Sequence, residues 1–462
     1  MTGISFDRST ALQDRLHQLV PGGAHTFAKG SDQYPEGMAP VLVGGSGARV
    51  RDVDGNEFVE YGMGMRAVTL GHGYAPVVEA VREVLAGGVS FTRPTELELA
   101  AAEDFLALVP GADMVKFCKN ASDATSTAIR LARAATGREL VGLCHDQPYF
   151  SSQDWFVGTL PINTGVPAAV RSLVRTFGYN DLESLRRMLE ENDGAVACVM
   201  LEAASALAEP EPGFLEGVRA LCDAHGTVLV FDETITGFRW AAGGAQSVYG
   251  ITPDLSTWGK AMGNGFPIAA LAGRRDLMEL GGLNTDRERV FLLSSTHGAE
   301  TASLAAFRAV VRAYAETDPV ATMERQGRLL ADGVNAVAAE AGIGEYLSVI
   351  GRSSCLVFRT ADATGVPSQA MRTLYLSEIL QRGVLGQSYV ISAAHTDADV
   401  EQTVEAARGA TAAYRKALET GRPEDLFAGR PVAPAHRLHA APRRLAARAE
   451  SAVRPIRSSW SE

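Results

Sequence analysis

Around the middle of the chain, near-continuous apolar runs alternate with amphipathic ones. "AVACVMLE" and "GTVLVFDE" are nearly unbroken apolar stretches that each close on an acid. Runs of this kind are what strands buried on both faces of a parallel sheet require. Between and around them lie segments of helical period. "SDATSTAIRLARAATG" places Ala124, Ala128, Leu131, Ala132 and Ala135 on one face, and "DLESLRRMLEEN" does the same with Leu182, Leu185, Met188 and Leu189. Nearer the start, "GARVRDVDGNEFVEY" alternates about Asp54-Gly55, a hairpin signal. Past residue 300 helices dominate ("TASLAAFRAVVRAYAE", "MERQGRLLADGVNAVAAEAG"), followed by a strand-like "SCLVFRT". The pattern predicts an α/β fold with a mostly parallel sheet flanked by helices, and a smaller C-terminal α+β domain.

Composition narrows the class. With 462 residues the chain is long enough for more than one core. We expect an N-terminal hairpin segment over 1–65, a large domain over 66–320, a small domain over 321–428 and a tail over 429–462. Hydrophobic residues at 46% and charged residues at 21% are ordinary for a globular protein. No apolar run approaches the roughly 20 residues that cross a bilayer, and the N-terminus has no apolar signal core, so we expect a cytoplasmic protein without a membrane partner. A net charge of −11 argues against nucleic acid as a partner. The five cysteines are scattered without metal-ligand spacing, which predicts buried free thiols and no metal site. From Arg430 onward the balance reverses, with seven arginines against two glutamates. That stretch reads as a disordered or loosely docked tail.

Three features carry chemistry. Ligands in open α/β sheets lie beyond the carboxyl ends of the strands, where Glu202 and Asp232 stand. "MVKFC" leads through a small polar turn into a helix, with Ser122 or Asp123 as its expected cap. The first N–H groups of that helix suit a phosphate. Lys260 sits alone among small residues in "STWGKAMGNGFP". Pyridoxal phosphate needs all three: a lysine for a Schiff base, an acid at the pyridine nitrogen and a phosphate cradle.

At these residues the chain resembles the class III, fold-type-I pyridoxal-phosphate aminotransferases, in the branch containing glutamate-1-semialdehyde aminomutase. The resemblance covers roughly residues 15 to 420. "FDETITGFR" is similar to the family's FDE-x-x-TGFR, which implies Asp232 as the ring-nitrogen partner. "TPDLSTWGKAMGNGFPIAALAG" resembles the lysine segment and implies Lys260 as the covalent residue. "KNASDATSTAIRLARAATGR" resembles the phosphate loop, implying Ala121 and Ser122 as phosphate contacts. "STHGAETASLAA" is similar to the segment whose threonine, here Thr296, reaches the phosphate held by the other subunit, which implies a homodimer with a shared active site. The resemblance also implies cofactor contacts at Tyr149, Thr234 and Glu202, and a fold-type-I large domain with a seven-stranded sheet.

The departures from the family bear on substrate. "PYFSSQDW" keeps an aromatic ring at Tyr149 where the family has Tyr-His-Gly, and Thr234 replaces the usual valine or isoleucine under the ring. Where the aminomutase has a carboxylate-gripping arginine, "GGAHTFAK" has Lys29, a point charge without the planar fork. We therefore expect His25, Thr26 and Lys29 to form a polar substrate wall. The reaction expected is amine transfer to or from a carbonyl of a sugar, aminocyclitol or aminoglycoside-type metabolite, with a separate amino donor. The intramolecular amine shift of a semialdehyde aminomutase is the first alternative, and elimination or epimerisation on an amino sugar the second.

Overall fold

The computed structural model describes residues 4–147 and 149–438. The basic sequence from 439 onward lies outside the described residues. The expected hairpin is present: β1 (Leu42–Ser46), β2 (Arg49–Asp52) and β3 (Glu57–Glu60) form an antiparallel meander. Gly55 turns between the last two with φ +88°, a conformation that glycine adopts freely.

The chain then builds the main sheet from β4 (Met114–Cys118), β5 (Leu140–Cys144), β6 (Val174–Phe177), β7 (Val196–Leu201), β8 (Val228–Asp232), β9 (Leu255–Trp258) and β10 (Ala269–Gly273). Their spatial order is β4-β10-β9-β8-β7-β5-β6. The pairs from β9 through β6 are parallel, and β10 runs antiparallel to both its neighbours. Every residue of β7 and β8 is buried, which explains their apolar runs. One face, through Val199, Leu201, Leu229 and Phe231, packs on Leu185, Met188, Val218 and Leu221 of two covering helices. The other, through Cys198, Met200, Val228 and Val230, packs on Ala124, Ala128, Leu131 and Ala132 of the helix Ala121–Thr136. The small side chains of that helix let it lie close to the sheet. The five cysteines are buried and free, and no helix among the described residues is long and apolar enough to cross a membrane.

A second core forms around β11 (Leu347–Ile350), β12 (Cys355–Thr360), β13 (Val384–Leu385) and β14 (Tyr389–Val390), with the helices Pro319–Glu340, Gln369–Leu380 and Asp397–Thr420. β3 pairs in parallel with β13, so the N-terminal meander extends into this C-terminal unit, and Val59 and Tyr61 belong to its core. Residues 429–438 also pack here. Val432 is buried and its N–H donates to Thr373 Oγ1 at 2.8 Å, while Arg437 pairs with Asp32 at 2.6 Å.

Arg239 joins the two cores. It is fully buried and donates from Nη1 to the carbonyls of Ser354 (2.8 Å) and Ile391 (2.7 Å), and from Nη2 to that of Arg66 (3.3 Å). A buried guanidinium without a carboxylate depends on such acceptors. Replacing it by methionine removes the donors and leaves the carbonyls dry. We expect Arg239→Met to lose about 3 kcal/mol of stability, read as a lower unfolding midpoint in urea. A midpoint within error of the wild type would show that other contacts hold the cores together.

Candidate active site

The strands of the parallel sheet end at a cavity of about 300 Å³, lined among others by Ala121, Ser122, Tyr149, Glu202, Asp232, Thr234 and Lys260. Seven of the residues singled out in the sequence thus converge on one space. β8 delivers Asp232 at its last position, and β7 is followed at once by Glu202. Asp232 Oδ1 accepts the Thr234 N–H at 2.9 Å and the Thr257 hydroxyl at 3.1 Å, which fixes the carboxylate and leaves Oδ2 to the cavity. Burial pushes the Asp232 carboxyl up from its ordinary range, against the pull of Thr234, Lys260 and Thr257.

Lys260 follows β9 after Gly259 and has φ +45°, an unusual conformation for a side-chain-bearing residue. Its Nζ makes no hydrogen bond or ion pair among the described residues. Burial lowers its affinity for a proton, opposed by the nearby charges of Asp232 and Glu202. A lowered proton affinity favours the neutral amine, the form that acts as nucleophile and base. Glu202 is pushed up to about 8, first by burial and then by Asp232. The shift favours the protonated form, opposed by the charges of Lys260 and Arg66.

Two other residues form the local frame. Gln147 brackets the Glu202 backbone, its Nε2 donating to the Glu202 carbonyl (2.7 Å) and its Oε1 accepting the Glu202 N–H (2.8 Å). Asn264, also left-handed, accepts the N–H groups of Thr69 and Leu70 and donates to the Gly71 carbonyl, which ties the lysine loop to residues 69–71. Neither stood out in the sequence, because each acts on backbone distant along the chain. Glu233 is structural: it receives the N–H groups of Ala245 and Gln246 and the hydroxyl of Thr236.

The phosphate-side helix begins as expected, with one correction. Its cap is Asn120, not Ser122 or Asp123. Asn120 is extended (φ −143°) and its Oδ1 accepts the Asp123 N–H at 3.0 Å, so Ser122 and Asp123 already lie within the first turn. Ala121 and Ser122 therefore present the helix N-terminus to the cavity. Thr234 lines the cavity with its side chain buried beside the Asp232 carboxylate, on which it acts. A lysine with a free Nζ, a fixed carboxylate and a helix N-terminus at one cavity match the requirements of pyridoxal phosphate. The ring of Tyr149 stands at the rim, against Phe156 (5.5 Å between centroids) and His436 (6.1 Å).

Other sequence candidates fall outside this cavity. Thr296 is exposed on a turn and does not line it. Lys29 lines an adjoining groove of about 380 Å³ together with Tyr34, Glu60, Arg66, His72 and Gln387. His25 and Thr26 are exposed and line neither space, since the chain around Thr26 is extended along the surface. The expected three-residue wall is thus reduced to Lys29 within one chain.

A family model for class-III aminotransferases matches residues 33–148 and 152–374. The glutamate-1-semialdehyde 2,1-aminomutase of Roseiflexus castenholzii is 35% identical over 437 residues, which is 90% of this chain and 99% of that protein. The enzyme of the same name from Chloroherpeton thalassium is 33% identical over 427 residues, covering 87% and 97%. Among solved structures, the FumI protein of Sphingopyxis sp. MTA144 superposes with a TM-score of 0.82 at 29% identity, covering 90% of this chain and 98% of its own. An omega-transaminase from Sphaerobacter thermophilus superposes with 0.78 at 29% identity, covering 88% and 97%. By a match that spans most of its length, on a fold-type-I scaffold, the chain belongs to the class-III aminotransferases, a family of pyridoxal-phosphate enzymes.

Proposed function

We propose that the chain transfers an amino group to or from the carbonyl of a small polyhydroxylated substrate, a sugar, aminocyclitol or aminoglycoside-type metabolite, using pyridoxal phosphate attached to Lys260. The observation that carries the substrate class is the groove beside the Lys260 cavity. Lys29, Tyr34, Glu60, Arg66, His72, Gln387 and Ser388 give it donors and acceptors for hydroxyl groups, set among apolar residues such as Val41, Leu42, Val50 and Leu385.

When bound, the cofactor supplies an electron sink for charge left on the substrate carbon. Lys260 would hold the cofactor, and its amine is the group placed to move a proton at the substrate carbon. Asp232 would be the acid beside the pyridine nitrogen, the helix N-terminus at Ala121 and Ser122 would receive the phosphate, and Tyr149 would flank the ring. A second reading, the intramolecular amine shift, is favoured by the named aminomutases at 33% and 35% identity. At the position of the aminomutase's carboxylate-gripping arginine stands Lys29, which lacks a bidentate grip, so that reading needs another cation of the groove to hold the carboxylate.

The test is to offer the purified, cofactor-loaded protein a panel of amine donors, then aldehydes and ketones of sugars and aminocyclitols, alongside glutamate 1-semialdehyde. Donor-dependent amination of a polyol carbonyl supports the proposal. Formation of 5-aminolevulinate without any donor overturns it in favour of the second reading.

Asp232→Asn should keep the cofactor but lose about 100-fold or more in rate, since an amide cannot hold the ring nitrogen protonated. Turnover at the wild-type rate would remove Asp232 from the mechanism. Thr296, exposed in one chain, would complete the phosphate site of a second copy in a two-fold dimer. A dimer by sedimentation whose Thr296→Ala variant binds pyridoxal phosphate more weakly is expected. A monomer with full cofactor occupancy and activity would refute the shared site.

A further inference from the structure

Although the Glu202 carboxyl acts on it at longer range, Arg66 makes no direct ion pair among the described residues. It lines the outer groove, while its neighbour Ala67 lines the Lys260 cavity, so the side chain sits where the two spaces meet. Its charge acts on both Glu202 and Lys260. Its Nε–H donates to Cys355 Sγ at 3.2 Å, and its two terminal nitrogens make no hydrogen bond or ion pair among the described residues. Glu60, on the same groove, makes no ion pair with it, and Oε2 of that carboxylate is shared by His72 (3.1 Å) and the Met63 N–H (2.7 Å).

The backbone that carries Arg66 is also unusual. Met63, Gly64, Met65 and Arg66 are all left-handed, with φ of 42°, 59°, 62° and 72°. Such a run is costly for residues with side chains and persists only where its surroundings enforce it. Two contacts do so, the Met63 N–H on Glu60 and the Arg66 carbonyl under Arg239. The Nε bond to Cys355 then fixes the plane of the guanidinium and leaves its forked edge free. That edge is the part of an arginine that matches a carboxylate bidentately.

We propose that Arg66 is the specificity-determining residue that anchors a substrate carboxylate beside Lys260, in the place that Lys29 cannot fill. This rests on the amine-transfer reading above and narrows it: at least one of the two exchanging substrates is an acid, either an amino-acid donor or a sugar acid. Both present the same chemistry to the guanidinium.

The test uses the cofactor-loaded protein and its Arg66→Gln and Arg66→Gly variants. Glycine meets the left-handed φ at position 66 without strain, so the second variant guards against a folding defect. The first readout is calorimetric binding of two unreactive carboxylates, glutarate and glucuronate, with glucose as the uncharged counterpart. The second is spectral conversion of the cofactor by L-glutamate and by isopropylamine. Both variants should weaken one or both carboxylates by about 10- to 100-fold, with glucose binding and isopropylamine conversion changed less than about twofold. Loss confined to glutarate and glutamate assigns the donor, and loss confined to glucuronate assigns the sugar acid. Equal loss for charged and uncharged probes, or no loss for either carboxylate, overturns the proposal. If no amine converts the wild-type cofactor, amine transfer itself fails, and the calorimetric comparison still decides Arg66.

Discussion

Three ionisable side chains, Lys260, Asp232 and Glu202, share one cavity at the ends of the parallel strands, and burial disfavours the charged form of each. The amine is pushed down, the two carboxyls are pushed up, and each is partly rescued by an opposite charge in the group. Such a set is unfavourable for folding unless the backbone holds its members in register. The main sheet meets that requirement: β7 and β8 are fully buried adjacent parallel strands, and the acids stand at or just beyond their carboxyl ends. The polar site is therefore carried by an apolar platform with little freedom to relax.

The loops add a second constraint. Lys260 and Asn264 are both left-handed, and Asn264 binds residues 69–71, which follow two residues after the left-handed run that ends at Arg66. Arg239 holds the Arg66 carbonyl from below while binding the small domain through Ser354 and Ile391. The lysine loop, the groove and the second core are thus linked by backbone hydrogen bonds from two buried polar side chains. Strain at Lys260 and Arg66 is held where chemistry and recognition are proposed, as expected when a surrounding structure over-determines a local conformation.

Much of this was legible in the sequence for a physical reason. Strands buried on both faces require unbroken apolar runs, and β7 and β8 announced themselves that way. A lone lysine among small residues and an acid at a strand end are local signals, so Lys260 and Asp232 could be singled out together with the family. Gln147, Asn264, Arg239 and Arg66 could not, because their partners lie far along the chain: 195 residues for Asn264 to Thr69, 152 for Arg239 to Ile391. The helix cap was placed two or three residues late, since Ser122-Asp123 looks like a cap until the extended backbone of Asn120 is seen. The pairing of β3 with β13 had no local signal either, because two short strands joined across the whole chain leave no periodic trace.

The account depends most on Lys260 being the residue that binds the cofactor covalently. The direct measurement is to load the protein with pyridoxal phosphate, reduce it with borohydride and map the labelled peptides by mass spectrometry. The expected result is one reduced adduct, on the peptide that contains Lys260, and none in Lys260→Ala. Label on Lys29, Lys116 or Lys119 instead, or retention of covalent label in Lys260→Ala, would contradict the assignment and the mechanism built on it.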